Sequence, residues 1–215
     1  MALTLYYHPL ASFCWKVLIA LYENDIPFSG QIVDLMDEAS AAAFREVWPI
    51  GKFPVLRDDA RGETVPESST IIEYLDQHYA GPTRLVPADL DHARQTRLHD
   101  RIYDLYVHQP MQKIVTDRIR PAGRNDPHGV KEARALLRTS LAMIDKEMGS
   151  RTWAMGTAFT MADCAAAPAL FYADKVMSFG ETHPSAAAYL DRLMQRPSFA
   201  RVLEEAQPHF KMFPG

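Results

Sequence analysis

Two short stretches, Gly51-Lys52-Phe53-Pro54-Val55-Leu56 and Pro66-Glu67-Ser68-Ser69-Thr70-Ile71-Ile72, constrain this chain more than any other feature. In the first, proline fixes its own φ and drives Phe53 into an extended conformation, so the Phe53 amide and carbonyl can face an extended, peptide-like ligand. In the second, Pro66, Glu67 and Ser68 precede the helix-spaced apolar residues Ile71, Ile72 and Leu75, which places them at a helix N-terminus. Unpaired N–H groups and the positive end of the dipole gather there and receive a carboxylate. The Glu67 carboxylate supplies the complementary charge for an ammonium. Read alone, Glu67-Ser68 serves equally as an ordinary helix start. Read with the first stretch, it completes a pocket for a peptide that carries an amino-acid end.

Periodicity places these motifs in an α/β half. Residues 3–7 alternate and are rich in β-formers, which predicts a strand ended by His8-Pro9. Residues 12–23 are apolar on nearly every side, with only Lys16 and Glu23 charged, which predicts a buried helix. A strand over 28–33, a helix over 38–47, short strands over 54–57 and 63–65 around the turn 58–62, and a helix over 67–78 complete the order βαβαββα. Turn residues dominate 80–89, where a linker is expected. Beyond it the pattern is helical, with Leu98, Ile102, Leu105 and Tyr106 in one helix and Ala133, Leu137, Leu141, Ile144 and Met148 in another. Pro121, Gly123, Pro127 and Gly129 separate the two. Thr160-Met161-Ala162-Asp163 forms a capping box that starts a further helix, which Pro168 is expected to bend.

Composition narrows the class of function. The 215 residues are 47% hydrophobic, enough for two small domains with real cores, and the net charge of −4 gives no electrostatic footprint for nucleic acid. The N-terminus has no basic leader, and the longest apolar run, 164–173, is too short to span a bilayer, so no membrane association is expected and the reading is a cytoplasmic protein. Cys14 and Cys164, the only cysteines, exclude a disulfide framework and fit a reducing compartment. The eight histidines show no metal-ligand spacing on one helix face, and no metal is expected.

Tyr6-Tyr7-His8-Pro9 leading into Ser12-Phe13-Cys14-Trp15-Lys16-Val17, the two stretches above, and Phe159-Thr160-Met161-Ala162-Asp163 occur in an order and at spacings that resemble the glutathione transferase family over essentially the whole chain. The resemblance implies a thioredoxin-like glutathione-binding domain over 1–80, a linker over 81–90 and an all-helical domain over 91–215. It implies glutathione as co-substrate, held by Ser12, Lys52, Phe53, Pro54, Glu67 and Ser68, with Pro54 in a cis bond. It points to His8, Leu10, Tyr103, Tyr106, Val107 and Met111 for a small electrophilic acceptor. A two-fold homodimer is expected on the same ground.

The chemistry of such a protein is activation of the glutathione thiol. Bringing a thiol from about 8.5 to about 6.5 requires about 2.7 kcal/mol in favour of the thiolate. One hydrogen bond to a charged group and one helix N-terminus can supply that. Members resembling this chain carry the activating residue where it has Ala11. Ser12, one position on, is the expected hydroxyl, or else an N-cap; Tyr7 matches the tyrosine of other members, or else packs inside. Cys14 is the third candidate, a thiol for mixed disulfides if exposed and an inert packing residue if not. The functions in play are thus a glutathione transferase for small, mostly apolar electrophiles, a glutathione-dependent thiol-disulfide reductase or isomerase, and a non-catalytic interaction module on the same fold.

Overall fold

The computed structural model describes residues 2–214. Strand β1 (Leu3–Tyr7) lies inside a four-stranded sheet of order β2-β1-β3-β4, parallel to β2 (Ser29–Ile32) and antiparallel to β3 (Val55–Asp58), which pairs antiparallel with β4 (Glu63–Pro66). The two-residue period of β1 splits its side chains between two cores. Leu3 and Leu5 join the main core with α1 (Ser12–Glu23) and α3 (Ser68–His78), whereas Tyr6 meets Val33, Phe44 and Val55 under α2 (Glu38–Val47). Strand β2 is shorter than the expected 28–33 because only four residues pair, and all four are exposed at the sheet edge. The expected thioredoxin-like α/β half is therefore present.

The remainder is helical: α4 (Leu90–Ile102), a π-helical segment (Tyr103–His108), α5 (Gln109–Arg118), α6 (Pro127–Met148), α7 (Met161–Val176), α8 (Pro184–Gln195), α9 (Pro197–Ala206) and a closing 3-10 segment (Gln207–Met212). No helix among the described residues is long and apolar enough to cross a membrane. Helix α7 packs against α1, α4 and the π-helical segment, and its alanines allow the close approach. Its capping box forms as expected. The Thr160 amide donates to Asp163 Oδ2 at 2.8 Å, and Asp163 Oδ1 accepts from the Ala154 amide at 2.8 Å and the Tyr189 hydroxyl at 2.6 Å, so the buried carboxylate ties three segments together.

Two departures from the sequence reading matter for the site. The stripe Leu98, Ile102, Leu105, Tyr106 was expected to face inward, yet Leu98 and Tyr106 are about half exposed and the buried face of α4 carries Ala93, Thr96 and Asp100. The reason is a charge on α1: Lys16, 1% exposed, must be paired to be buried, and α4 turns its carboxylate side to it. The second is the π-helical segment. Pro110 has no N–H and its ring would clash with the carbonyl four residues back; the chain widens before it, and the Gln109 amide bonds Asp104 O, five residues back.

Candidate functional site

The loop from β1 to α1 is pinned from several sides. The Leu10 amide donates to His8 Nδ1 at 3.2 Å and the Ala11 amide to His8 O at 3.0 Å. Trp15 Nε1 donates to Pro9 O and the Tyr172 hydroxyl to Leu10 O at 2.8 Å. The His8 ring of this loop stacks on Phe53 with centroids 5.8 Å apart, and the Phe53–Pro54 bond is cis. Lys52 is exposed and Pro54 buried. Farther along, Glu67 is exposed and sits at φ +70°, in a region that costs a residue with a Cβ roughly 1–3 kcal/mol, and Ser68 behind it is buried at the start of α3.

Helix starts differ in a way that marks this region. Helices α2, α4 and α6 are capped by Asp37, Asp89 and Asp126, and α7 by its capping box. Helices α5, α8 and α9 place a proline in the first turn, which removes one donor. Helices α1 and α3 have neither: Ala11 and Glu67 make no side-chain cap bond. Their first amides keep unsatisfied donors at the positive end of a dipole; α1 follows the His8 loop, whose ring stacks on Phe53, and α3 follows Pro66, which pairs with Val55 across β3 and β4.

Ser12, the first residue of α1, is 7% exposed, and its Oγ lies 2.9 Å from His108 Nδ1 and 3.2 Å from Nε2. Phe13 meets the same imidazole edge to face at 4.3 Å. The pair lines a crevice with Lys16, Asp104 and Pro168 that is too narrow to admit water. Burial, reinforced by the Lys16 charge, lowers the His108 pKa to about 4, so the ring is neutral at pH 7. Deeper in, Lys16 Nζ reaches Asp100 Oδ1 at 2.6 Å, Asp104 Oδ2 at 2.8 Å and Ser69 Oγ at 2.9 Å, while Ser69 donates to Asp100 Oδ2 at 2.7 Å. Burial raises the Asp104 pKa against the pull of Lys16.

The remaining candidates separate cleanly. The Tyr7 ring lies over Gly30 of β2, where an added Cβ would come within 3.0 Å, and burial followed by the charge of Glu205 raises its pKa. Cys14 is fully buried and its thiol pushed up to about 12 by that burial, the state of a packing residue. His8 and Leu10 are partly exposed at the loop, Tyr103, Val107 and Met111 are in the core, and Tyr106 is about half exposed. Sequence reasoning passed over His108, Asp100, Asp104 and Ser69. A signal for three of them was present, since Thr96, Asp100, Asp104 and His108 recur every four residues as a polar stripe on one helix face.

Residues 5–83 match the family model of the glutathione S-transferase N-terminal domain, and residues 122–192 that of the glutathione S-transferase C-terminal domain. A stringent starvation protein A homolog of Coxiella burnetii is 27% identical, with 99% of this chain and 97% of that protein covered. A maleylacetoacetate isomerase of Pseudomonas aeruginosa is 25% identical over 97% of this chain and 98% of that one. In structure, the chain is similar to a glutathione S-transferase of Methylobacillus flagellatus with glutathione bound, at 25% identity and a TM-score of 0.84, covering 93% of this chain and 98% of that one. The two uncapped helix starts, the cis Phe53–Pro54 bond and the helical second half thus stand in a known frame: the chain belongs to the glutathione S-transferase family.

Proposed function

We infer that this protein binds glutathione and activates its thiol for attack on small, mostly apolar electrophiles. The observation that carries this reading is the pair of uncapped helix starts, α1 after the His8 loop and α3 after β4. The γ-glutamyl carboxylate takes the first amides of α3 and the Ser68 hydroxyl, Glu67 takes the ammonium, and Lys52 with the Phe53 backbone holds the rest of the tripeptide. The sulfur lies at the start of α1, where the Ser12 and Phe13 amides stabilise the thiolate. Because the Ser12 hydroxyl is bonded to His108, it supports these amides and does not replace them. The buried Cys14 disfavours the thiol-disulfide reductase reading. Ala11, where members of the family carry the activating residue, keeps a non-catalytic module as the second reading.

The same reading divides the chain into a glutathione-binding unit over 1–80, a linker over 81–90 and a helical unit over 91–215, and places the protein in the cytoplasm as a detoxifying enzyme. It includes a two-fold homodimer. Support for that comes from an open groove of about 380 Å³ lined by Leu105, Gln109, Pro110, Glu132, Ala133 and Leu136, with the half-exposed Tyr106 adjacent to Leu105 in the chain. Light scattering at micromolar concentration tests the mass.

The decisive test is calorimetry with glutathione followed by conjugation of a generic electrophile. Ser68→Ala and Glu67→Leu are each expected to weaken binding at least tenfold, as loss of one partner of a charged contact does. Unchanged affinity in both variants refutes the site, and tight binding without turnover selects the non-catalytic module.

A further inference from the structure

The turn that leads into α1 has almost every polar backbone group taken. The Ala11 amide bonds His8 O at 3.0 Å and the Leu10 amide bonds His8 Nδ1 at 3.2 Å, while Ala11 O accepts from the Cys14 amide at 2.9 Å and the Trp15 amide at 3.1 Å. Each of the two carbonyls inside the turn is held by an aromatic side chain of the core: Trp15 Nε1 donates to Pro9 O at 2.6 Å and the Tyr172 hydroxyl to Leu10 O at 2.8 Å. The Ser12 and Phe13 amides have no acceptor among the described residues. Tyr172 comes from α7, 162 residues beyond Leu10, and is buried. Its ring meets Trp15 with centroids 4.8 Å apart and stacks on Phe213 at 5.4 Å and an interplanar angle of 26°. Burial, then the nearby Cys14, raises the Tyr172 pKa, so the hydroxyl keeps its proton at neutral pH. The other ionisable groups about the turn are His8, faced by Asp34 and His209; Cys14, faced by Tyr7; and His108, faced by Lys16. Burial holds both imidazoles below their ordinary value and the Cys14 thiol at about 12.

We propose that Tyr172 is a positioning residue for the glutathione thiolate: by holding Leu10 O, its hydroxyl fixes the peptide plane from which the Ser12 and Phe13 amides are aimed. The proposal rests on the reading above, in which those two amides stabilise the sulfur. The Leu10–Ala11 peptide is planar, so its carbonyl and the Ala11 amide turn as one piece. Both of its polar groups are held, Leu10 O by Tyr172 and the Ala11 amide by His8 O. A single residue, Ala11 at φ −82° and ψ 117°, separates this plane from the Ser12 amide. Without the hydroxyl the plane is held on one side, and its swing passes through Ala11 to the first donors of α1. Donors fixed in advance stabilise charge without reorganising, and donors that must first be ordered stabilise it less. The loss therefore falls on the thiolate and spares the rest of the tripeptide, which Lys52, the Phe53 backbone and α3 hold in that reading.

The test titrates the ultraviolet absorbance of the thiolate of bound glutathione from about pH 5 to about pH 9, a readout that needs no acceptor, and measures S-methylglutathione, which has no thiol to ionise, by calorimetry. Tyr172→Phe removes the hydroxyl and keeps the ring. Phe213→Leu loosens the same corner and keeps the hydroxyl. In Tyr172→Phe the thiol pKa is expected to rise by about half a unit to one unit, so that about three- to tenfold less thiolate is present at neutral pH. S-methylglutathione affinity should change by less than about twofold in both variants, as for a group that acts on the charged form alone. Phe213→Leu should leave the thiol pKa in place. An unmoved pKa in Tyr172→Phe, an equal rise in Phe213→Leu, or a parallel loss of S-methylglutathione affinity overturns the proposal while the glutathione reading stands. A wild-type protein that binds glutathione without forming its thiolate overturns the proposal and selects the non-catalytic module. One that binds neither tripeptide overturns the glutathione reading itself.

Discussion

Replacing Lys16 by methionine tests the physical account of how the two halves are joined. The ammonium lies 2.6 Å from Asp100 and 2.8 Å from Asp104, and all three side chains are almost fully buried. At an effective dielectric of about 20, each contact amounts to about 6 kcal/mol of gross attraction, which desolvation of three ions and repulsion between the carboxylates largely cancel. The net worth of the cluster is therefore small, but removal of the cation alone strands two buried carboxylates. That costs about 3–5 kcal/mol. At about 2–4 °C per kcal/mol for a chain of this size, Tm should fall by roughly 6–20 °C. Urea unfolding followed by circular dichroism, with calorimetry for Tm, measures the loss. The triple variant Lys16→Met, Asp100→Asn, Asp104→Asn should recover most of it, because no charge is left buried. The Lys16→Met defect should also shrink toward pH 5, since stranded carboxylates have folded pKa values above their unfolded ones and protonation relieves them. A loss below about 1 kcal/mol, or a triple variant no better than the single one, refutes the argument.

Ser12→Ala leaves a His108 nitrogen unpartnered in a dry crevice and should cost about 1–3 kcal/mol in urea unfolding. Its conjugation rate should fall only about tenfold or less; a loss above 100-fold would assign the thiolate to the hydroxyl instead of the amides. Asp58 accepts from Tyr74 and Tyr79 and from the Ala60 and Arg61 amides; burial raises its pKa, but these four bonds outweigh it and the net shift is downward. Its contribution is then fully present above the unfolded value near 3.9 and lost as pH falls through the lower folded value. The stability gap between wild type and Asp58→Asn should accordingly close below about pH 4, and a gap that widens there would contradict the assignment.

Elements whose cause is local were legible in the chain itself. Leu3–Tyr7, Ser12–Glu23 and Glu38–Val47 begin and end where alternation and periodicity say they should. The capping box of α7 is likewise written in four residues, whereas the cis bond before Pro54 was expected from the family resemblance and not from its local sequence. Helix α4 shows where such reading ends. Periodicity assumes that a helix buries its apolar stripe, and α4 does the opposite because its partner surface carries a charge. Nothing near Asp100 in sequence announces Lys16, 84 positions away, as its counter-ion. The same holds for the Ser12 hydroxyl, whose role depends on a histidine 96 residues downstream that only the packing of α1 against the π-helical segment brings to 2.9 Å. Amino-acid types and their spacing determined where strands and helices begin and end. Which buried charges pair, which hydroxyl is already taken and which face of a helix is inside were decided by the tertiary structure, because desolvation cost depends on what each group meets, and that is a property of the packed chain.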